Sequence, residues 1–228
     1  MDRREASEGA QGTQGAQGTQ GAGGAQGAGG TQGAEKRPDE AEQRRFAAEI
    51  PVKRLKRELA YQGTILKVYR DYVDANGNKA VWDYIHHDGA AAVVPVTEDG
   101  RILMVRQYRN ALDRFTLEIP AGKVDSPGEP RRLCAFRELE EETGYRVERP
   151  EDLEFLMRLN TTVAFCDEEL DVFLARNLKK GRQHLDEDEV IEVEPWALPD
   201  LLQKIWKGEL RDAKTAAAIL GYAVRCGK

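Results

Sequence analysis

Three cysteines in 228 residues are too few to staple a domain of this size, which points to a reducing compartment, the cytoplasm. Long apolar runs are missing too. None reaches the roughly 18 to 20 residues needed to cross a bilayer, which argues against a membrane partner. The N-terminus is polar and lacks the apolar core of a secretory signal. Positive charge is not in excess: 34 Lys and Arg stand against 40 Asp and Glu, a net charge of -6. A general nucleic-acid binder would need a basic surface, so nucleic acid is not an expected partner. A small phosphate-bearing substrate stays open, because a bound cation reverses the local field. With 40% hydrophobic and 32% charged residues, the composition fits one soluble globular domain plus a short extension.

The extension is visible at the N-terminus. Glycine recurs at every third position from Gly9 to Gly33, spaced by Ala, Gln, Thr or Gly. The period is that of collagen, but the segment has no proline to pre-set the extended backbone and no large apolar side chain to bury. Ordering so many glycines would go uncompensated. Residues 1–36 are expected to be a disordered tail, and 37–60, rich in Ala, Glu, Arg and Lys, a helical lead-in broken by Pro51.

The domain proper is expected over 61–228. Strand-like runs occur at Thr64–Tyr72, Lys79–His86, Ala90–Thr97, Arg101–Tyr108 and Thr116–Ile119. Asn76-Gly77 and Glu98-Asp99-Gly100 read as the turns of two hairpins. A helix is predicted over Pro130–Thr143, followed by strands at Leu153–Leu159, Glu169–Ala175 and Val190–Val193. Helices at Pro199–Lys207 and Ala213–Cys226 close the chain. This order is not a regular β-α-β-α alternation, and a mixed sheet covered by helices fits it better.

Arg131–Gly144 carries the chemistry. On a helical wheel Leu133, Ala135, Phe136 and Leu139 gather on one side, and Glu138, Glu141 and Glu142 on the other. Three stacked carboxylates repel one another in water, whereas a hard, oxygen-seeking cation such as Mg²⁺ would bind them. Taken alone, the glutamates equally describe a solvated helix face. Upstream, Leu117-Glu118-Ile119-Pro120-Ala121-Gly122 leads into a loop with two further prolines or glycines, then Glu129 at the helix start.

Glu129, Arg137-Glu138-Leu139, Glu141-Glu142 and Gly144-Tyr145 fall in the register of the Nudix box, which this segment resembles. One residue more than usual separates Gly122 from Glu129. The resemblance implies an α/β fold, a Nudix-type α/β/α sandwich with a mixed sheet. It also implies hydrolysis of a nucleoside diphosphate linked to another group, with Mg²⁺ or Mn²⁺. Glu138, Glu141 and Glu142 are then the metal ligands, with the main-chain carbonyl of Ala121 completing the set. Arg137 holds the helix carboxylates in place.

Beyond the box, Ile102–Arg109, Gly63–Val68, His87–Ala90, His184–Glu189 and Gly208–Thr215 resemble the ADP-ribose and ADP-sugar pyrophosphatase branch. That likeness implies conversion of ADP-ribose to AMP and ribose 5-phosphate, with GDP-mannose or ADP-glucose as rival substrates. A non-catalytic ADP-ribose sensor is the remaining alternative, and it would be expected to lack one or more helix carboxylates. The branch also implies a domain-swapped homodimer whose N-terminal strands reach the partner's site. Arg109 is expected on a substrate phosphate, Glu118 on substrate or loop, and Trp82 on the adenine or in the dimer interface. The general base is expected on the acidic loop, as Glu189 first and Glu187 second, with Glu142 as a further choice. His86, His87 and His184 form no metal-ligand pattern, and Cys134 reads as packing.

Overall fold

The computed structural model describes residues 51–64, 66–126, 128–187 and 189–227. The expected tail and the first part of the lead-in lie outside the described residues. Twelve strands and three helices of at least nine residues are described.

The first three strands, β1 (Val52–Gln62), β2 (Lys67–Ala75) and β3 (Asn78–His86), form an antiparallel sheet of their own. The β2–β3 turn is the expected Asn76-Gly77 hairpin, with both residues at positive φ, 53° and 81°. Such turns match the twist of the strands they join. β1 corrects the helical expectation for 52–60. Its Lys, Arg, Glu and Ala are good helix formers, but nine residue pairs with β2 and the bidentate Arg57–Asp71 bridge, both contacts 2.6 Å, override that preference.

Next come β4 (Ala90–Pro95), β5 (Ile102–Arg109), β6 (Arg114–Glu118) and β7 (Ala121–Lys123). Helix α1 (Arg131–Thr143) follows, then β8 (Tyr145–Arg146), β9 (Glu154–Asn160), β10 (Glu169–Ala175) and β11 (Lys179–Lys180). The chain closes with β12 (Ile191–Trp196), α2 (Leu198–Trp206) and α3 (Ala213–Arg225). The central sheet runs β7-β4-β10-β9, with β4 and β10 parallel and the outer pairs antiparallel. A second sheet runs β12-β5-β6. The Glu98-Asp99-Gly100 turn is present, but its strands do not form a hairpin. They diverge into different sheets after the single bridge Val96↔Ile102. Strand β4 pairs with β10 and β7, so no edge is left for β5.

The core is two-sided, as period-two alternation in a doubly covered strand requires. Ala90, Ala92 and Val94 of β4, with Leu170, Val172 and Leu174 of β10, face Ile102, Met104, Leu201 and Ile219. Ala91 and Val93, with Phe173 and Ala175, face Cys134, Ala135 and Leu139 of α1. The result is the expected α/β/α sandwich with a mixed sheet. Among the described residues no helix is long and apolar enough to cross a membrane.

Helix α1 departs from its expected faces. Leu133 is 45% exposed, whereas Cys134 and Glu142 are buried with Ala135 and Leu139. The i, i+4, i+7 series Ala135, Leu139, Glu142 is the inward stripe, so Glu142 sits under the helix rather than on its solvent side.

Candidate active site

Strand β7 is only three residues long, and it positions the site. It pairs with β4 (Ala92↔Ala121, Ala91↔Gly122), which lays its backbone beside α1. The Ala121 N–H donates to Glu142 Oε2 at 2.9 Å. A Cβ on Gly122 would overlap the Glu138 carboxylate, so glycine is what lets strand and carboxylate approach. Gly144 ends α1 in the left-handed region, φ 69°, its N–H bonded to the Glu140 carbonyl.

Arg137 is the local counter-charge. One Nη donates to Glu138 Oε1 and to Glu141 Oε2, both at 2.7 Å, and the other to the Lys123 carbonyl at 3.1 Å. Burial pushes the Glu138 carboxyl up to about 7, opposed by Arg137 and reinforced by Glu141 and Glu189. Burial likewise pushes Glu142 up to about 8, opposed by the Ala121 amide and reinforced by Glu138 and Glu189. Cys134 is fully buried, its thiol held up to about 12 by burial, so it packs as expected and is no nucleophile. Glu129 stands two residues before α1, its Oε1 3.9 Å from Arg137 Nε of that helix. Its Oε2 accepts the Asp125 N–H at 2.8 Å and ties the preceding loop.

A cavity of about 870 Å³ collects Ala121, Glu138, Glu141, Glu142, Arg137, Arg109 and Glu189. Of the two loop choices for the base, half-buried Glu189 lines it, and exposed Glu187 does not, while the third choice, Glu142, lines it from α1. Glu118 is buried behind the wall. Both its oxygens bind Arg109, at 2.8 and 2.7 Å, and it also accepts from Thr116 Oγ1 at 2.6 Å and from Lys214. Burial alone would raise its pKa, but Arg109 and Lys214 prevail and hold it down at about 2. Trp82 lies on β3, 49% exposed, and does not line the cavity.

The structure adds Lys214, Asp212 and Gln107 to the wall. Asp212 caps α3 by accepting the Thr215 N–H at 3.0 Å and binds Lys214 at 2.9 Å. The Asp-Ala-Lys-Thr run before a helical pattern was the available signal. Gln107 Oε1 is buried with no partner among the described residues, an acceptor a bound ligand could satisfy.

Among the described residues no three His, Cys, Asp or Glu side chains form a ready metal cage. The donor set still fits a hard divalent cation. It offers three carboxylates on one cavity wall, two of them destabilised as anions by burial and mutual repulsion. As arranged here, Arg137 supplies the positive charge.

A family model described as the NUDIX domain matches residues 85–219. The chain belongs to the Nudix family. It is 40% identical over 170 residues to an ADP-ribose pyrophosphatase of Bacillus subtilis (strain 168), covering 73% of this chain and 90% of that protein. It is 38% identical over 170 residues to a methanol dehydrogenase activator of Bacillus methanolicus, with the same coverage. A solved structure titled as that of an ADP compounds hydrolase superposes with TM-score 0.68 at 21% identity, covering 77% of this chain and 94% of that one, a likeness of fold. Membership in this family, with the carboxylate cavity, supports a Nudix hydrolase acting on a nucleoside-diphosphate compound.

Proposed function

We propose that this Nudix domain hydrolyses the diphosphate of ADP-ribose to AMP and ribose 5-phosphate, with Mg²⁺ or Mn²⁺ held by Glu138, Glu141, Glu142 and the Ala121 carbonyl. The observation that carries the reading is the packing of half-buried Glu138 and buried Glu142 against the Ala121–Gly122 backbone, in a cavity sized for a nucleotide. When bound, the cation offsets charge on the phosphate oxygens and lowers the pKa of water.

The chain's own residues do the rest. Arg137 orients Glu138 and Glu141. Glu189 takes the proton of the attacking water on its carboxylate, and a cavity position gives it reach that Glu187 lacks. Arg109 commits Nε and Nη2 to Glu118, which aims the guanidinium and leaves Nη1 for a phosphate oxygen. Glu118 acts by bracing Arg109 rather than by touching substrate. Trp82 lies outside its own protomer's cavity, so its place is in a domain-swapped homodimer, at the interface or on the partner's adenine. The three unpaired thiols accord with a cytoplasmic setting.

The test is product release, resolved by chromatography, from ADP-ribose, ADP-glucose and GDP-mannose, each with Mg²⁺ and with chelator. AMP and ribose 5-phosphate formed fastest from ADP-ribose, and only with metal, is the expected result. Faster turnover of another nucleotide sugar overturns the substrate. Tight ADP-ribose binding with no turnover of any compound overturns the enzyme.

A further inference from the structure

A second cavity of about 650 Å³ lies along β6, the edge strand of its sheet, under the α2–α3 connection. It shares Arg109, Asp212, Ala213 and Lys214 with the catalytic cavity, so those residues form a party wall. Six cationic side chains line it, Arg106, Arg109, Arg114, Lys204, Arg211 and Lys214, against three acids, Glu118, Glu209 and Asp212. On a chain of net charge -6 this is a local reversal of sign.

Pairing does not cancel it. Arg106 is bound by Glu194, Arg109 by Glu118, Lys204 by Glu209 and Lys214 by Asp212. Arg114 and Arg211 are left with no carboxylate among the described residues. Arg211 Nε reaches only the Gly208 carbonyl. Arg114 stands directly opposite Arg109 in the β5–β6 ladder, and Glu118 neutralises Arg109 but not Arg114. Two guanidiniums without a carboxylate match the bidentate geometry of a phosphate. Phe115 also lines the cavity, 52% exposed, its ring edge-to-face with Tyr108 at 5.6 Å.

We infer that this cavity is a second ligand site, for a phosphate monoester joined to a flat ring, the nucleoside monophosphate class. Arg114 and Arg211 take the phosphate and Phe115 stacks on the ring. Because the cavity shares Arg109 with the catalytic one, an occupant also bears on the residue proposed to hold the substrate phosphate. On the reading above, AMP is a reaction product, and the site would then sense product.

The test is calorimetric titration of AMP into the full chain in chelator, so that no turnover enters and the outcome is separate from the reaction proposed above. Arg114→Ala/Arg211→Ala is expected to weaken AMP at least tenfold. Phe115→Ala supplies an independent loss on a side chain that leaves the cations intact. Lys123→Ala, which lines the catalytic cavity and not this one, is expected to leave AMP affinity within twofold. Adenosine and ribose 5-phosphate are expected to bind at least tenfold more weakly than AMP. AMP affinity unchanged in the double-arginine variant, or lost equally in Lys123→Ala, overturns the site. Ribose 5-phosphate binding as tightly as AMP overturns the role of the ring.

Discussion

At the scale of single residues, burial separates the acids of this domain by task. Glu118 is 3% exposed and wholly consumed by cations, so it is structural charge. Its carboxyl is lowered from 4.5 to about 2, so the stability it contributes is present above pH about 4.5 and lost as pH falls toward 2. At about 1.4 kcal/mol per unit this is on the order of 3 kcal/mol. Urea unfolding of the wild type and Glu118→Gln at pH 6 and pH 3 checks it. The difference should be full at pH 6 and fall to less than half at pH 3, as the carboxyl approaches its folded pKa of about 2. Glu189 is expected to behave differently. Glu189→Gln should lower kcat by about 10²- to 10⁴-fold with an unchanged melting temperature, and Glu187→Gln should stay within twofold. Equal losses in the two variants would place the base elsewhere. The helix glutamates were readable from spacing, but Glu142 was expected on the face opposite Leu139 and instead lies buried on the same inward stripe. The Arg109–Glu118–Lys214 triad was not readable as a unit, because Glu118 and Lys214 stand 96 positions apart and no local pattern couples them.

At the scale of elements, long periodic segments could be read and short or context-dependent ones could not. Helix α1 and β10 lie close to their sequence ranges. β7, β8 and β11 have three, two and two residues, too few to show a period. β1 was obscured by residues whose local preference is helical, and only its pairing with β2 decides its state. The split of β4 and β5 into separate sheets is likewise set by partners distant in sequence. The joint between α1 and the central sheet is the element-level weak point. Leu139 is fully buried there, in the core cluster with Ala91, Val93 and Phe173. Leu139→Ala is expected to cost about 2 to 5 kcal/mol in urea unfolding. It should also lower kcat, because the helix that carries Glu138 and Glu142 loses its seat.

At the scale of the whole molecule, two behaviours should follow. Adding Mg²⁺ at neutral pH should raise the melting temperature, by an amount equivalent to about 2.7 kcal/mol at a hundredfold excess over Kd. In Glu138→Gln/Glu142→Gln the shift should vanish, and a shift that survives would put the cation elsewhere. The β1–β3 sheet leaves Leu55, Leu59, Tyr61, Val81 and Trp82 between 49% and 62% exposed. Such a surface suits burial against a second copy. Sedimentation at micromolar concentration should give twice the chain mass, and Leu59→Glu should shift it to the monomer. A wild type that sediments as a monomer would remove the homodimer.

The parallel β4–β10 pair has a consequence for how the molecule is made. Ala90 lies opposite Leu170, so an apolar strand waits for a partner translated about 80 residues later. At ~5 to 20 residues per second that is roughly 4 to 16 seconds on the ribosome. During that interval the edge of Ala90–Pro95 that β10 will cover is unpaired, open to any strand that meets it first. The yield of this protein in a cell therefore depends on what shields that segment during synthesis, before the finished fold exists to protect it.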